Sequence, residues 1–347
     1  MIFGTLNGLR GIAALVIVAF HTTLCDTLHL NNGYLAVDLF FVLSGFVVAH
    51  AYEKRLQSGV TLGGFLRIRL IRLYPLYILG VLLSILFLLL SYLSKGQIRE
   101  EGFASIPYAI LMLPTPASDW SQGQLYPLNL PAWSLFFELI VNVVYAATFR
   151  YWTPLRIGVV LTIIASIFLY TSPYINPVVS ALGGTNWSSL TLGLMRVFYS
   201  FPAGVLIYRL YQRGVRISAV PPLILIAAFP LLLMLPSTWG VPFDVLVGFP
   251  VLVALATASD AGRGISAVSN TLGAASYAVY AIHDPLHQLI VPVFERLGVT
   301  RRLADIVLVA CIIPVSLFID RVYDTPIRAR LSNWSIKLKP TRPPAKG

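Results

Sequence analysis

The feature that most constrains this sequence is a series of apolar runs, each long enough to cross a lipid bilayer. A transmembrane helix needs about 17–25 mostly apolar residues, and about ten runs meet that length. A shorter run at 103–113 is expected to be interfacial or re-entrant. We therefore predict an all-α, polytopic membrane bundle of about ten helices. The runs cover 9–28, 34–52, 73–94, 131–149, 155–172, 192–211, 219–236, 241–258, 272–294 and 303–322.

The composition agrees with a membrane protein. Hydrophobic residues make up 57% of the 347 residues and charged residues 11%, whereas soluble domains carry about 25% charged residues. The net charge of +11 would suit a nucleic-acid partner, but the basic residues fall in short loops, where they orient membrane helices. We expect a lipid bilayer as partner and no nucleic acid. The N-terminus lacks a signal-peptide pattern, so the first helix is expected to be retained.

The distribution of Lys and Arg predicts an N-in, C-in orientation. With the N-terminus in the cytoplasm, most of the 25 basic residues lie on the inner side, as the positive-inside rule requires. The loop at 296–302 breaks the rule. We predict a transmembrane domain at 1–326 and a basic, mobile cytoplasmic tail at 327–347. The basic residues placed outside are Lys95, Arg99, Arg196, Arg296, Arg301 and Arg302.

The first apolar run contains two ionisable residues, Arg10 and His21. On a continuous helix they would lie about 16 Å apart along the axis and roughly 20° apart around it. One inner-facing groove could then contain both, with His21 about half a bilayer deeper. Intramembrane ionisable residues are functional candidates by default. The alternatives are a snorkelling anchor for Arg10 and an interhelical hydrogen bond for His21.

The next two runs add a carboxylate and a pair of arginines. Asp38 lies near the outer end of the second run and Ser44 near its centre. Asp38 could orient His21 or pair with an arginine, and both possibilities stay open. Arg69 and Arg72 are i, i+3 neighbours at the cytoplasmic mouth, where two guanidinium groups could grip a phosphate bidentately or bind lipid headgroups.

The later runs supply further candidates. Ser134 and Glu138 share a face of the fourth run, and a lone glutamate in hydrocarbon favours a functional role. Tyr277, Tyr280 and His283 follow a drifting common face, and Arg196 lies near the outer end of the sixth run. We expect these last four residues to support packing or to line the site.

Two other chemistries are weakly indicated. Cys25 follows His21 by one helical turn, which permits a Cys–His nucleophile pair, although buried free cysteines usually behave as small hydrophobes. The five histidines lack the close cysteine or carboxylate spacing of a structural zinc site. We expect no metal.

Taken in order, these stretches resemble the acyltransferase-3 family of integral-membrane acyltransferases. The likeness lies in "LRGIAALVIVAFH", "GYLAVDLFFVLSGF", "RLIR" followed by "YP", and "PAWSLFFEL". "SYAVYAIHDPL" is similar to the late Tyr–His–Pro segment of the family. The resemblance covers nearly the whole chain.

The resemblance implies a ten-helix enzyme of the bacterial cytoplasmic membrane. It would move an acyl group, commonly acetyl, from cytoplasmic acyl-CoA to a hydroxyl of a cell-surface or exported carbohydrate or glycolipid. Acyl-CoA is then a co-substrate, and no permanently bound cofactor is expected. No fused extracytoplasmic esterase-like domain is expected after the last run.

The resemblance also implies roles for individual residues. His21 would be the catalytic histidine, with Glu138 and Asp38 at motif positions beside it. Arg10, Arg69 and Arg72 would hold the acyl donor. A histidine can exchange a proton at neutral pH, so His21 could take the proton of an attacking hydroxyl. Direct transfer and an acyl-histidine intermediate both stay open.

The main alternative is a proton-coupled transporter or polysaccharide flippase that uses the same His, Asp and Glu residues as a relay. Such transporters often show paired repeats and matching broken helices. The sequence contains neither pattern, so we favour the enzyme.

Overall fold

The computed structural model describes residues 3–30, 32–95, 100–171, 183–215, 217–259 and 262–337. Within these ranges the regular structure is helical, apart from one isolated bridge between Gln124 and Asn186. The all-α prediction is confirmed. The first half contains α1 (Gly4–Phe20), α2 (Leu24–Thr27), α3 (Ala36–Gln57), α4 (Leu62–Lys95), α5 (Glu100–Ala104), α6 (Ile106–Ile110), α7 (Ala132–Thr148) and α8 (Pro154–Thr171).

The second half of the chain continues the same all-helical pattern. It contains α9 (Leu190–Gln212), α10 (Pro222–Leu232), α11 (Ser237–Phe243), α12 (Phe249–Ala258), α13 (Arg263–Arg296), α14 (Arg301–Ile319) and α15 (Thr325–Lys337). Two π-helical segments, Asp244–Gly248 and Asp320–Asp324, join α11 to α12 and α14 to α15.

The helices fall on the predicted runs. The shorter helices α1 and α10 and the long α13 occupy three of these runs. The count of ten crossings and the N-in, C-in orientation stay predictions. Seven described segments are long and apolar enough to cross a membrane: Gly33–Gln57, Leu62–Ser94, Ala132–Tyr151, Pro154–Thr171, Trp187–Gln212, Ser237–Ala258 and Arg301–Asn333. The chain is therefore a multi-pass membrane protein.

The first helix is displaced from the run 9–28 that predicted it. It ends at Phe20, where the backbone N–H of His21 is shared between two carbonyls of the last turn. Thr23 then donates its backbone N–H and its hydroxyl to the carboxylate of Asp305 on α14. This tertiary contact holds the chain out of the helix. The placement of His21 inside a helix was therefore wrong, and the residue lies at the C-terminal end of α1.

Two other segments also differ in detail from the sequence prediction. The short run at 103–113 forms the helices α5 and α6, which together are too short to span. The prediction of a mobile tail is wrong for residues 327–337. These residues belong to α15, which packs against α4. Residues 338–347 lie outside the described part of the chain.

Close helix crossings organise the bundle interior. Helix α1 packs along α13, and α3 packs along α9. A Cβ on Gly45 would collide with the carbonyl oxygen of Phe201, and one on Gly204 would collide with that of Val42. The two backbones therefore touch at a reciprocal glycine pair, as small residues permit in membrane helices. Helix α8 lies at the periphery, with Leu155, the neighbouring valines and other apolar side chains exposed.

Candidate functional site

A cavity of about 90 Å³ lies between α1, α3, α4, α7 and α13. Apolar side chains of α3, α4 and α7 form part of its wall. Most of the residues predicted for the site meet here. The polar lining consists of Arg10, Ser44, Arg69, Arg72, Ser134, Glu138, Ser276, Tyr277 and Tyr280.

Helical periodicity explains why these side chains converge. Arg69 and Arg72 are one turn apart on α4, and Tyr277 and Tyr280 are one turn apart on α13. Ser134 and Glu138 have a similar relation on α7, which begins at Ala132, one residue after the start of the predicted run. Residues three or four apart share a helix face, so each helix turns one polar pair toward the cavity. The predicted common faces of these pairs are confirmed.

Glu138 joins two helices inside the cavity. Its Oε1 lies 2.5 Å from a terminal nitrogen of Arg69 and accepts a hydrogen bond from the Ser44 hydroxyl at 2.7 Å. The Arg69 side chain is buried, and its Nε has no hydrogen-bond partner among the described residues. Glu138 therefore neutralises Arg69 and fixes the position of its guanidinium group.

Arg10 and Arg72 are not balanced in this way. Neither forms an ion pair with a carboxylate among the residues that the structure describes. Both line a partly apolar cavity, and Glu138 is the only acidic side chain among the described residues that line it. Positive charge in a low-dielectric site is costly unless an anion compensates it. The cavity therefore favours an anionic ligand.

The tyrosines of the cavity hold neighbouring helices together. The Tyr277 hydroxyl donates to the Leu73 carbonyl at 2.5 Å, and that of Tyr280 donates to the Pro131 carbonyl at 2.8 Å. Ser134 lies 2.5 Å from the Tyr280 hydroxyl. These bonds fix α13 against the start of α7 and the middle of α4.

His21 does not line this cavity, so the prediction of one groove containing both Arg10 and His21 was wrong. Its ring instead lies beside that of His283, with the ring centres 5.2 Å apart. The His283 ring is in turn 6.0 Å from that of Tyr280, which does line the cavity. A row of three side chains thus connects the cavity to His21.

The bonding of His283 defines its tautomer. Its Nδ1 lies 3.2 Å from the Val279 carbonyl and 2.9 Å from that of Tyr280. Carbonyl oxygens only accept, so Nδ1 carries the proton and Nε2 of the neutral ring keeps its lone pair. This Nε2 is buried and has no hydrogen-bond partner in the described part of the chain. The His283 ring therefore offers, beside His21, a nitrogen that can accept a proton or a hydrogen bond from a hydroxyl group.

Sequence reasoning missed the polar residues on the far side of His21. Nε2 of His287 lies 3.0 Å from the carboxylate of Asp305. The same carboxylate accepts a hydrogen bond from the hydroxyl of Thr23, which follows the end of α1. Asp284 accepts a hydrogen bond from the backbone N–H of Leu130. The "HDPLH" segment carried the signal, since it places an aspartate and two histidines on adjacent turns of α13. The partner Asp305 is remote in sequence.

Asp38 and Arg196 form a closed ion pair away from the cavity. Arg196 donates to both carboxylate oxygens of Asp38 and to the Gly183 carbonyl, and its guanidinium packs on the Tyr34 and Trp133 rings. Both side chains are almost completely buried. This geometry fits the structural pairing that the sequence left open, and a catalytic role for Asp38 stays a prediction.

The Cys–His alternative finds little support in the geometry. The Cys25 thiol points to the Leu30 carbonyl, 3.5 Å away, inside its own loop.

The described residues contain no group of three or more His, Cys, Asp or Glu side chains arranged to hold a metal ion.

Comparison with known proteins identifies the class. The family described as "Acyltransferase domain" matches residues 3–321. A 156-residue stretch is 43% identical to "Protein 2 in picA locus" of Rhizobium radiobacter, covering 42% of this chain and 81% of that protein. No solved structure matches the chain.

Two further relatives extend over most of the chain. "Exopolysaccharide production protein ExoZ" of Rhizobium meliloti is 25% identical over 76% of this chain and 80% of its own length. "Acyltransferase MdmB" of Streptomyces mycarofaciens is 28% identical over 80% of this chain and 77% of its own length. With a family match across nearly all of its length, the chain belongs to the acyltransferase-3 family and is a membrane acyltransferase.

Proposed function

We propose that this acyltransferase moves an acetyl group from acetyl-CoA, bound from the cytoplasm, to a hydroxyl of a carbohydrate carried to the cell surface. The observation that carries the proposal is the cavity in which Arg10 and Arg72 have no carboxylate partner among the described residues. Acyl-CoA supplies the phosphates that such a site requires, and charge-assisted bonds from arginine to phosphate are among the strongest in proteins.

The arginines have different tasks in this proposal. Arg10 and Arg72 bind the donor phosphates, because their guanidinium groups form no ion pair with a carboxylate in the described part of the chain. Arg69 is held by Glu138 and contributes only the donors that this ion pair leaves free. Glu138 acts by fixing Arg69 and Ser44. This division refines the expectation that Arg10, Arg69 and Arg72 all hold the donor.

The reaction centre lies at His21 in this proposal. The donor extends from the cavity past Tyr280 and His283, so that its thioester reaches His21. The oxygen of the acceptor hydroxyl attacks the thioester carbonyl carbon while His21 takes the hydroxyl proton. The carbon–sulfur bond breaks, and the CoA thiolate leaves and receives that proton. The lone pair on Nε2 of His283 can accept a hydrogen bond from His21 and orient its ring.

The carbohydrate acceptor is inferred from two facts. One relative is named for exopolysaccharide production and another for acyl transfer. His21 lies at the C-terminal end of α1, whereas Arg10 lies inside the helix, in its first half. An acceptor that meets the acyl group there approaches from the side opposite the donor. We place the enzyme in the bacterial cytoplasmic membrane.

The decisive experiment measures the release of CoA thiol and acetyl transfer by purified protein supplied with acetyl-CoA and candidate polysaccharide. His21→Asn should lower turnover by at least about 100-fold, as loss of a general base does. His29→Asn is the matched control, since His29 is exposed and has a positive φ of 51° that asparagine tolerates. Near-normal turnover in His21→Asn would overturn the assignment of the base.

The same preparation separates the enzyme from the transporter alternative. A transporter would move solute into vesicles along a proton gradient without releasing thiol. An acyltransferase releases CoA in proportion to the acceptor that it modifies. Proton-driven flux without thiol release would therefore contradict the proposal as a whole.

A further inference from the structure

A second basic cavity, of about 490 Å³, lies at the junction of α7, α8 and α9. It contains three arginines and no acidic residue. Its lining consists of Arg150, Trp152, Thr153, Pro154, Arg209, Gln212 and Arg213. Nothing in the acyl-transfer chemistry above uses these residues.

Only one of the three arginines is neutralised. Arg209 lies 2.7 Å from Glu53, a buried carboxylate that also binds Gln57 and Tyr145. Arg150 and Arg213 are exposed and form no ion pair with any residue that the structure describes. The cavity therefore carries an uncompensated positive charge of about two units. Its wall also includes Pro154, the first residue of α8, and a helix N-terminus attracts anions.

The three arginines come from two parts of the chain. Arg209 and Arg213 lie at the C-terminal end of α9, and Arg150 lies in the 3₁₀ turn Phe149–Tyr151 that directly follows α7. Basic residues at a helix C-terminus offset the helix dipole, but each dipole amounts to only about half a unit charge. The two helix ends therefore leave net positive charge in the cavity, which favours an anionic ligand.

The surroundings of the cavity favour a lipid over a soluble anion. Helix α8 rises from the cavity wall with its apolar side chains exposed, beginning with Leu155 at 79% exposure. Tyr151, at the rim, is 65% exposed. A phosphate group in the cavity would thus have apolar helix surface directly beside it, as the acyl chains of a phospholipid require. Basic pockets at the cytoplasmic ends of membrane helices bind such headgroups.

We propose that the Arg150–Arg209–Arg213 cavity binds the phosphate headgroup of an anionic phospholipid, with the acyl chains of the lipid lying along α8. This cavity takes no part in the acyl-transfer mechanism proposed above. Each arginine near a membrane surface contributes roughly 1 kcal/mol to binding an anionic lipid, which is about fivefold in affinity.

The test is a titration of the purified full chain in neutral detergent, with bound molecules counted by native mass spectrometry. The probes are phosphatidylglycerol, phosphatidylcholine with the same acyl chains, inorganic phosphate and adenosine 3′,5′-bisphosphate. We expect one saturable site that prefers phosphatidylglycerol. Arg150→Gln/Arg213→Gln should weaken phosphatidylglycerol binding by about 25-fold.

The control is Arg321→Gln/Arg330→Gln, which removes two exposed arginines from the same predicted side of the membrane. Equal weakening in the control would attribute the effect to general surface charge and overturn the site. Equal binding of the two lipids would overturn it as well. Binding of inorganic phosphate or of the bisphosphate that depends on Arg150 and Arg213, without such dependence for phosphatidylglycerol, would reassign the cavity to a soluble anion.

Discussion

Arg69 and Arg72 lie on one face of α4, yet their surroundings make them respond differently to substitution. Arg72→Ala should raise the KM for acetyl-CoA about tenfold to a hundredfold, because a charge-assisted bond to phosphate contributes about 1.5–3 kcal/mol. Arg69→Ala should instead lower the amount of folded protein, since it leaves Glu138 without its ion-pair partner. Kinetics normalised to folded protein distinguish the two effects. An unchanged KM in Arg72→Ala would remove that residue from the donor site.

The Asp38–Arg196 pair offers a test of a role that the sequence left open. Asp38→Asn should destabilise the protein by about 3–5 kcal/mol, because it leaves a buried arginine uncompensated. The double variant Asp38→Leu/Arg196→Met removes both charges and should recover most of that loss. If the pair is structural, the double variant keeps its turnover per folded molecule, as measured by thiol release. Loss of turnover in a stable double variant would restore Asp38 to the catalytic residues.

Spacing along one helix was enough to predict most of the cavity. Pairs such as Ser134 and Glu138 share a helix face because they are four residues apart. Ionisable residues are rare in apolar runs and usually functional, so they can be recognised from the sequence alone. The partners across helices were not predictable, because Asp38 could meet His21 or any of several arginines. His21 itself was misplaced, since its position depends on a contact between Thr23 and Asp305 that no local pattern encodes.

At the scale of helices, the crossing of α3 and α9 depends on the absence of two side chains. Gly45→Ala places a methyl group against the backbone of α9 and should cost roughly 1–3 kcal/mol, as overpacking does. Gly158→Ala on α8 is the control, because a Cβ there has open space and alanine favours a helix. Thermal unfolding in detergent measures both variants. Equal stability of the two would show that the crossing relaxes without strain.

Helix positions were easier to predict than helix ends. Hydropathy located each apolar run because a membrane admits only backbones whose polar groups are bonded internally. The helix ends depend on tertiary contacts and on whether a helix continues through a proline. Helix α4 continues through Pro75 and begins well before the apolar run at 73–94, so that Arg69 and Arg72 are helical. The tail after Pro326 likewise continues as α15, where composition alone suggested a mobile segment.

At the scale of the whole molecule, the bundle has two chemically different ends. One end carries the acidic and histidine groups that surround His21, including Asp305 and His287. The other carries Arg209 with its neighbours, at the ends of α3 and α9. The cavity lined by Arg10 and Arg72 lies between these two ends. Since basic residues favour the cytoplasmic side, this polarity predicts that the donor enters from inside the cell and that the His21 end faces outside.

This polarity predicts the membrane topology. A reporter that is active only outside the cytoplasm should be active when inserted near residue 120, in the loop after α6, and silent near residue 214, after α9. The loop after α6 belongs to the His21 end, because Leu130 at its close donates to Asp284, next to His283. A second reporter, active only inside, should give the reverse pattern at the same positions. Equal signals at both positions would place the two ends on one side, and the donor and the acceptor would then have to enter from the same compartment.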